Sequence, residues 1–276
     1  MTAIAQTWFE PAGAPRGVMV IAPAMAVRQD YYTDFAEHLA AHGFLVATFD
    51  YQFMGFNKPA SMRGVAVTFD DWREDVDATI DAAALRAPGV PLYVCGHSLG
   101  GQIMGLLRNR HRLAGALTVA SGTGYWRHNP RMTLQLLYLW FVAMPLYSRV
   151  FGYFPGERFN KVGNLPREIA LTWSRWCRQP DYLLGDESVR REAGYEDLRV
   201  PMLSFSFSDD TYIPKPAIEQ LHGFYRNARV ERHHIRPTDV GESRIGHFGF
   251  FKLGAANPLW KQAAEWLTVQ TGPQTS

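Results

Sequence analysis

The hexapeptide Gly96-His97-Ser98-Leu99-Gly100-Gly101 constrains this chain more than any other feature. A short apolar run, Leu92 to Cys95, precedes it, and a helical pattern from Gly100 to Arg108 follows. A serine between a strand and a helix on so sharp a turn adopts a strained backbone. Side chains two positions away on either side would clash, which explains the glycines. The G-x-S-x-G spacing alone is weak in a chain with 24 glycines; the strand before it and the helix after it give it weight.

The rest of the chain has the alternation that this turn requires. Strands are expected at Val18–Ala22, Leu45–Phe49, Ala114–Ala120, Met202–Phe207 and near Val230–Ile235. Helices are expected at Tyr31–His42, capped by Asp30 and stopped by Gly43, and from Thr68 onward, where Phe69, Trp72, Val76, Ile80 and Ala83 recur at helical spacing. Two more are expected at Pro216–Tyr225 and from Asn257-Pro258 to about Val269. The fold class is therefore α/β, a mainly parallel sheet flanked by helices. Between Gly122 and Glu196 the alternation stops, and aromatic residues and prolines take over. The expected organisation is a core part at 1–121, a mostly helical aromatic-rich insertion at 122–196, and a second core part at 197–276, with a loose tail from Thr271 to Ser276.

Composition narrows the partners. Charged residues make up 20% of the chain and the net charge is +2, with Lys and Arg scattered, so no nucleic-acid partner is expected. Two cysteines, Cys95 and Cys177, are too few for a disulfide framework or a four-ligand zinc site. No metal-ligand spacing or phosphate-binding glycine loop is present, so no metal and no cofactor are expected. Met1 to Gly17 lacks the basic-then-apolar pattern of a signal peptide. The most apolar stretch, Leu136 to Leu146, is about half a bilayer span and reads as a buried helix. A soluble, cytoplasmic protein without stable membrane insertion is the expectation.

A serine hydroxyl needs a base to take its proton. Of nine histidines, His38, His42, His111 and His128 lie in the wrong regions, and His97 points elsewhere if Ser98 points up. His222 falls in a helix, and His233 and His234 fall in a strand. His247 remains, between Gly246 and Gly249 in a loop before the last helix. The base needs a carboxylate to orient it, and the strand ending at Phe207 runs into Ser208-Asp209-Asp210, where either aspartate would serve. Asp50 ends an earlier strand and reads as a turn residue. Oxyanion donors are expected at the N–H of Leu99 and, from the loop after the Val18–Ala22 strand, of Met25.

Together these residues resemble the α/β-hydrolase superfamily. The Gly96–Gly101 turn matches its nucleophile elbow, and Gly246-His247-Phe248 matches its base loop. A D-x-x-x-P pattern after a late strand matches Asp210 to Pro214 and selects Asp210 as the acid. Where many members carry His-Gly before the oxyanion donor, this chain has Pro23-Ala24. Trp173–Cys177, Ser206–Asp210 and Gly246–Phe251 look more narrowly like a bacterial group of predicted α/β-hydrolases without a settled substrate. The resemblance implies a cap at 122–196, with Trp126, Trp140 and Trp176 as candidate substrate contacts. It also implies a small-molecule acyl substrate and a serine esterase with Ser98, Asp210 and His247 as its triad. Acyl transfer and non-catalytic ligand binding are the alternatives on the same scaffold.

Overall fold

The computed structural model describes residues 4–159 and 163–271; the tail at 272–276 lies outside them. The chain opens with a short strand, β1 (Gln6–Phe9), that sequence reading missed. Its four residues pair antiparallel with the third strand, so the element is defined by a distant partner rather than by its own pattern. Next come β2 (Gly17–Ala22), α1 (Thr33–Ala41), β3 (Phe44–Phe49) and α2 (Phe69–Arg86). Asp30 does not cap α1; it pairs with Arg28 at the surface, and a 3₁₀ turn, Gln29–Tyr32, leads into the helix. Thr68 and Asp71 close a reciprocal capping box on α2, with Asp71 N–H donating to Thr68 Oγ1 at 3.3 Å.

β4 (Leu92–His97) runs into α3 (Leu99–Gln102), and β5 (Leu113–Val119) follows. α3 is much shorter than the expected Gly100–Arg108 helix, and 3₁₀ turns replace its second half. Gly105 explains the break: the Tyr195 ring lies directly against it, and its carbonyl accepts from Gly194 N–H at 2.9 Å.

The segment between β5 and the next sheet strand holds a helical run from Pro130 to Phe151, comprising α4 (Thr133–Leu137), a π-helical stretch (Tyr138–Ala143) and α5 (Met144–Phe151). Then come the two-residue hairpin strands β6 (Tyr153–Phe154) and β7 (Leu165–Pro166), α6 (Arg167–Cys177) and α7 (Glu187–Glu192). β8 (Pro201–Phe207), α8 (Lys215–Phe224), β9 (Arg229–Ile235) and α9 (Pro258–Thr271) complete the chain. Asn257 caps α9 by accepting Leu259 N–H at 2.9 Å.

Among the described residues the main sheet has the order β1-β3-β2-β4-β5-β8-β9, parallel throughout except for β1. β2, β3 and β4 are buried at every position, as strands covered on both faces are. On one face Met19, Ile21, Cys95 and Leu117 pack with Phe35 and Leu39 of α1 and Trp260 of α9. On the other, Val18, Val20 and Val94 pack with Trp72 and Ile80 of α2. Buried Trp140, Met144, Phe154 and Ile169 of the segment after β5 join this second cluster, so that segment shares a core with the sheet.

Leu136–Leu146 departs from the buried-helix expectation. The helix around it runs 22 residues, Pro130–Phe151, long and apolar enough by length and composition to cross a membrane. Its inner face, Trp140, Ala143 and Met144, is buried, while Leu134, Tyr138, Val142, Leu146 and Val150 form an exposed apolar stripe at intervals of four.

Candidate active site

Parallel strands bring their carboxyl ends to one edge of the sheet, and ligand sites of open α/β sheets collect there. Ser98 follows β4, Asp210 follows β8, and His247 lies in the loop between β9 and α9. His247 Nε2 is 3.0 Å from Ser98 Oγ, and His247 Nδ1 is 2.8 Å from Asp210 Oδ2. The carboxylate only accepts, so Nδ1 carries the proton and Nε2 is free to accept from the hydroxyl. Both partners of this ion-pair geometry are nearly sealed from solvent.

Local backbone explains why each side chain stands where it does. Ser98 has φ +49° and ψ −108°, a conformation that a residue with a side chain adopts only when its surroundings force it. The forcing is visible at the flanking glycines. A Cβ on Gly96 would press into the backbone of Gly101, and one on Gly100 would press into the carbonyl of Ala22. The Ser98 carbonyl accepts from the Ser121 hydroxyl at 2.6 Å, a support with no signature in the sequence. Asp210 is fixed by its second oxygen, which accepts Tyr212 N–H at 2.8 Å and Ile213 N–H at 3.0 Å. The chain then enters α8 through Pro214. Asp50, read as a turn residue, accepts Gln29 N–H at 2.8 Å and Phe56 N–H at 2.9 Å.

Leu99 is the first residue of α3, so its N–H has no intrahelical acceptor. Met25 lines the same cavity as Ser98 and His247. That cavity has a volume of about 410 Å³. Its walls are mostly apolar, with Leu136, Leu139, Trp140, Ala143, Met144 and Phe154 from the segment after β5.

Of the three tryptophans expected at the substrate, Trp140 lines the cavity and the other two do not. Trp176 is buried against Phe69, 4.4 Å between ring centroids, and fills the core beneath. Trp126 packs edge-on to Phe141 at 6.1 Å under the Arg127 guanidinium. Trp173, one helical turn before Trp176 and not singled out from the sequence, lines the cavity instead and meets Trp140 at 4.8 Å. Trp173 and Trp176 lie three residues apart on α6, and sequence does not say which of the two meets the cavity. Burial pushes the Cys95 thiol up to about 12 and the Cys177 thiol well above its ordinary value, so neither competes as a nucleophile.

The family model described as serine aminopeptidase, S33, a hydrolase family, matches residues 13–166. That span includes Ser98 and ends before Asp210 and His247. A monoacylglycerol lipase of Mycolicibacterium smegmatis is 31% identical over 96 residues, 35% of this chain and 34% of that protein. The aligned part thus spans about a third of that curated relative. Among solved structures, a soluble variant of monoglyceride lipase from Saccharomyces cerevisiae, in complex with a substrate analog, superposes with a TM-score of 0.66 at 14% identity, covering 98% of this chain and 92% of that one. A highly thermostable carboxyl esterase from Bacillus coagulans superposes with a TM-score of 0.66 at 10% identity, covering 98% and 94%. These likenesses establish the shared fold. With its sheet order, its Ser98 turn and a family match over more than half its length, the chain belongs to the α/β-hydrolase family described as serine aminopeptidase, S33.

Proposed function

We propose that this protein is a serine hydrolase that cleaves carboxylic esters through an acyl-enzyme on Ser98. The observation that carries this reading is the buried imidazole of His247, within hydrogen-bonding distance of a strained serine hydroxyl on one side and a carboxylate on the other. Ser98 Oγ attacks the ester carbonyl carbon while its proton passes to His247 Nε2. Asp210 holds the proton on Nδ1 and balances the imidazolium. The N–H groups of Leu99 and Met25 donate hydrogen bonds to the carbonyl oxygen as negative charge develops on it. Collapse breaks the C–O bond of the ester, and the leaving alkoxide takes the proton from His247. Water, deprotonated by the same imidazole, then releases the acid and restores the serine hydroxyl.

Residues 122–196 serve as a cap in this reading, and the apolar cavity under it receives the acyl chain. The relatives named above support lipid esters of the monoacylglycerol kind as first substrates to try. Cys95 and Cys177 are free and buried, which suits a reducing compartment and the cytoplasm. Acyl transfer is the second reading, favoured by the enclosure of Ser98 under apolar walls that limit water. Product analysis with 1-monoacylglycerol and an added alcohol separates the two. Free fatty acid alone supports hydrolysis, and a new ester supports transfer. No turnover of monoacylglycerols or of p-nitrophenyl esters would contradict both.

A further inference from the structure

The proposed reaction leaves one histidine of the nucleophile turn without a task. His97 is completely buried at the end of β4, with its ring 4.9 Å from Phe251 and 5.8 Å from Tyr32 between centroids. Its Nε2 is 2.9 Å from the carbonyl oxygen of His247, and its Nδ1 is 2.9 Å from Tyr32 Oη. Tyr32 Oη in turn accepts the N–H of Ala24 at 2.8 Å.

Proton accounting gives these bonds one direction. A carbonyl oxygen only accepts, so His97 Nε2 carries the hydrogen. Burial, with the neighbouring His247, pushes the His97 imidazole down to about 3, so the ring is neutral and Nδ1 is a bare lone pair. The Tyr32 hydroxyl therefore donates to Nδ1 while its oxygen receives Ala24 N–H. Every buried polar atom in the series is satisfied, and each is satisfied in one sense only. The series starts in the loop that carries Met25, passes beside Ser98 along the chain, and ends on the backbone of His247.

We propose that Tyr32 and His97 are positioning residues: together they form a strut that fixes the distance between the oxyanion loop at Ala24–Met25 and the backbone of His247. This rests on the Ser98, Asp210 and His247 reading above. The loop after β2 and the loop after β9 belong to distant parts of the sequence, and the His-Gly that many α/β-hydrolases carry ahead of the donor is replaced here by Pro23-Ala24. A buried hydroxyl and imidazole hold in place what that backbone does not. Displacement of a catalytic group by about 1 Å costs on the order of 10²-fold in rate, so the strut acts on turnover rather than on substrate affinity.

The test uses Tyr32→Phe, His97→Asn and the double variant, with p-nitrophenyl butyrate turnover per folded molecule and inhibition by phenylboronic acid, which forms a tetrahedral adduct on an activated serine. Tyr32→Phe keeps the ring and removes the hydroxyl. It is expected to lower kcat by about 10- to 100-fold with KM within about twofold, and to weaken the boronate in proportion to the loss in kcat/KM. His97→Asn is expected to do the same, and the double variant to lose no more than the worse single, because both break one series. If His97→Asn does not fold, Tyr32→Phe with both readouts still decides. A kcat within about twofold of wild type for Tyr32→Phe, or a loss confined to melting temperature, would overturn the strut. Retained turnover in Ser98→Ala would instead overturn the reading beneath it.

Discussion

Asp209 and Asp210 are neighbours in the chain and grip the same histidine loop in different ways. Asp210 Oδ2 holds the Nδ1 of His247 at 2.8 Å. Asp209 Oδ2 accepts the backbone N–H of both Ile245 and Gly246 at 2.9 Å. Gly246 has φ +61°, so the backbone turns sharply just before the imidazole, and Asp209 ties down that turn. One carboxylate sets the tautomer of the imidazole and the other sets the course of its backbone.

The two aspartates are therefore separable by kinetics. Asp210→Asn is expected to cut kcat by about 10³- to 10⁴-fold with little change in fold, since the amide favours the wrong tautomer. Asp209→Ala leaves two buried N–H groups unpaired and is expected to cost about 1–3 kcal/mol of stability, with a much smaller loss in kcat. Urea unfolding and ester turnover on both variants check this. Equal kinetic losses would merge the two roles.

The turn at Ser98 tolerates no added carbon. Gly100→Ala directs a Cβ into the Ala22 carbonyl, and backbone cannot swing aside as a side-chain tip does. A loss of about 1–3 kcal/mol or more is expected, with activity falling further because the Ser98 backbone and the loop after β2 shift together. Circular dichroism melts and turnover of the variant measure both.

Chain-length preference follows from the cavity wall. Ala143 is a buried, small residue on the inner face of the Pro130–Phe151 run. Ala143→Phe fills space that a long acyl chain would use. A panel of p-nitrophenyl esters from acetate to laurate is expected to show kcat/KM for the longest chains falling by roughly 10- to 100-fold, the worth of a few methylenes, with acetate little changed. A uniform loss across the panel would move the acyl site elsewhere.

Acid stability is linked to buried His222. Its Nε2 meets Thr118 Oγ1 at 2.9 Å and its Nδ1 donates to Ile218 O at 2.8 Å, and burial pushes it down to about 4. The unfolded chain binds this proton below about 6.5, whereas the folded chain resists it down to about 4. Stability thus rises with pH across that window and falls on acidification, by at most about 3 kcal/mol from this group. Asp75, raised to about 6 chiefly by burial, works in the opposite sense between its unfolded value and about 6. Unfolding free energy measured at pH 7 and pH 4.5 is expected to differ less in His222→Gln than in wild type. An unchanged difference would remove His222 from the linkage.

What the sequence revealed, it revealed through local rules. The glycines around Ser98, the Asn257-Pro258 start of α9 and the opening of α2 after Thr68 are decided within a few residues, and the structure has them. The histidine singled out from motifs lies within hydrogen-bonding distance of both the serine and the aspartate. What it concealed depends on distant partners. β1 exists because β3 pairs with it, α3 ends early because Tyr195 covers Gly105, and Trp176 turns into the core because Phe69 waits there. His97 passed as a residue pointing elsewhere, since its partners Tyr32 and the His247 carbonyl lie 65 and 150 positions away.

The central claim is that Ser98 is an activated nucleophile, and intact mass after treatment with a fluorophosphonate tests it most directly. Wild type and Ser98→Ala are treated side by side. The account expects one adduct on wild type and none on Ser98→Ala. An adduct on both, or on neither, would contradict it.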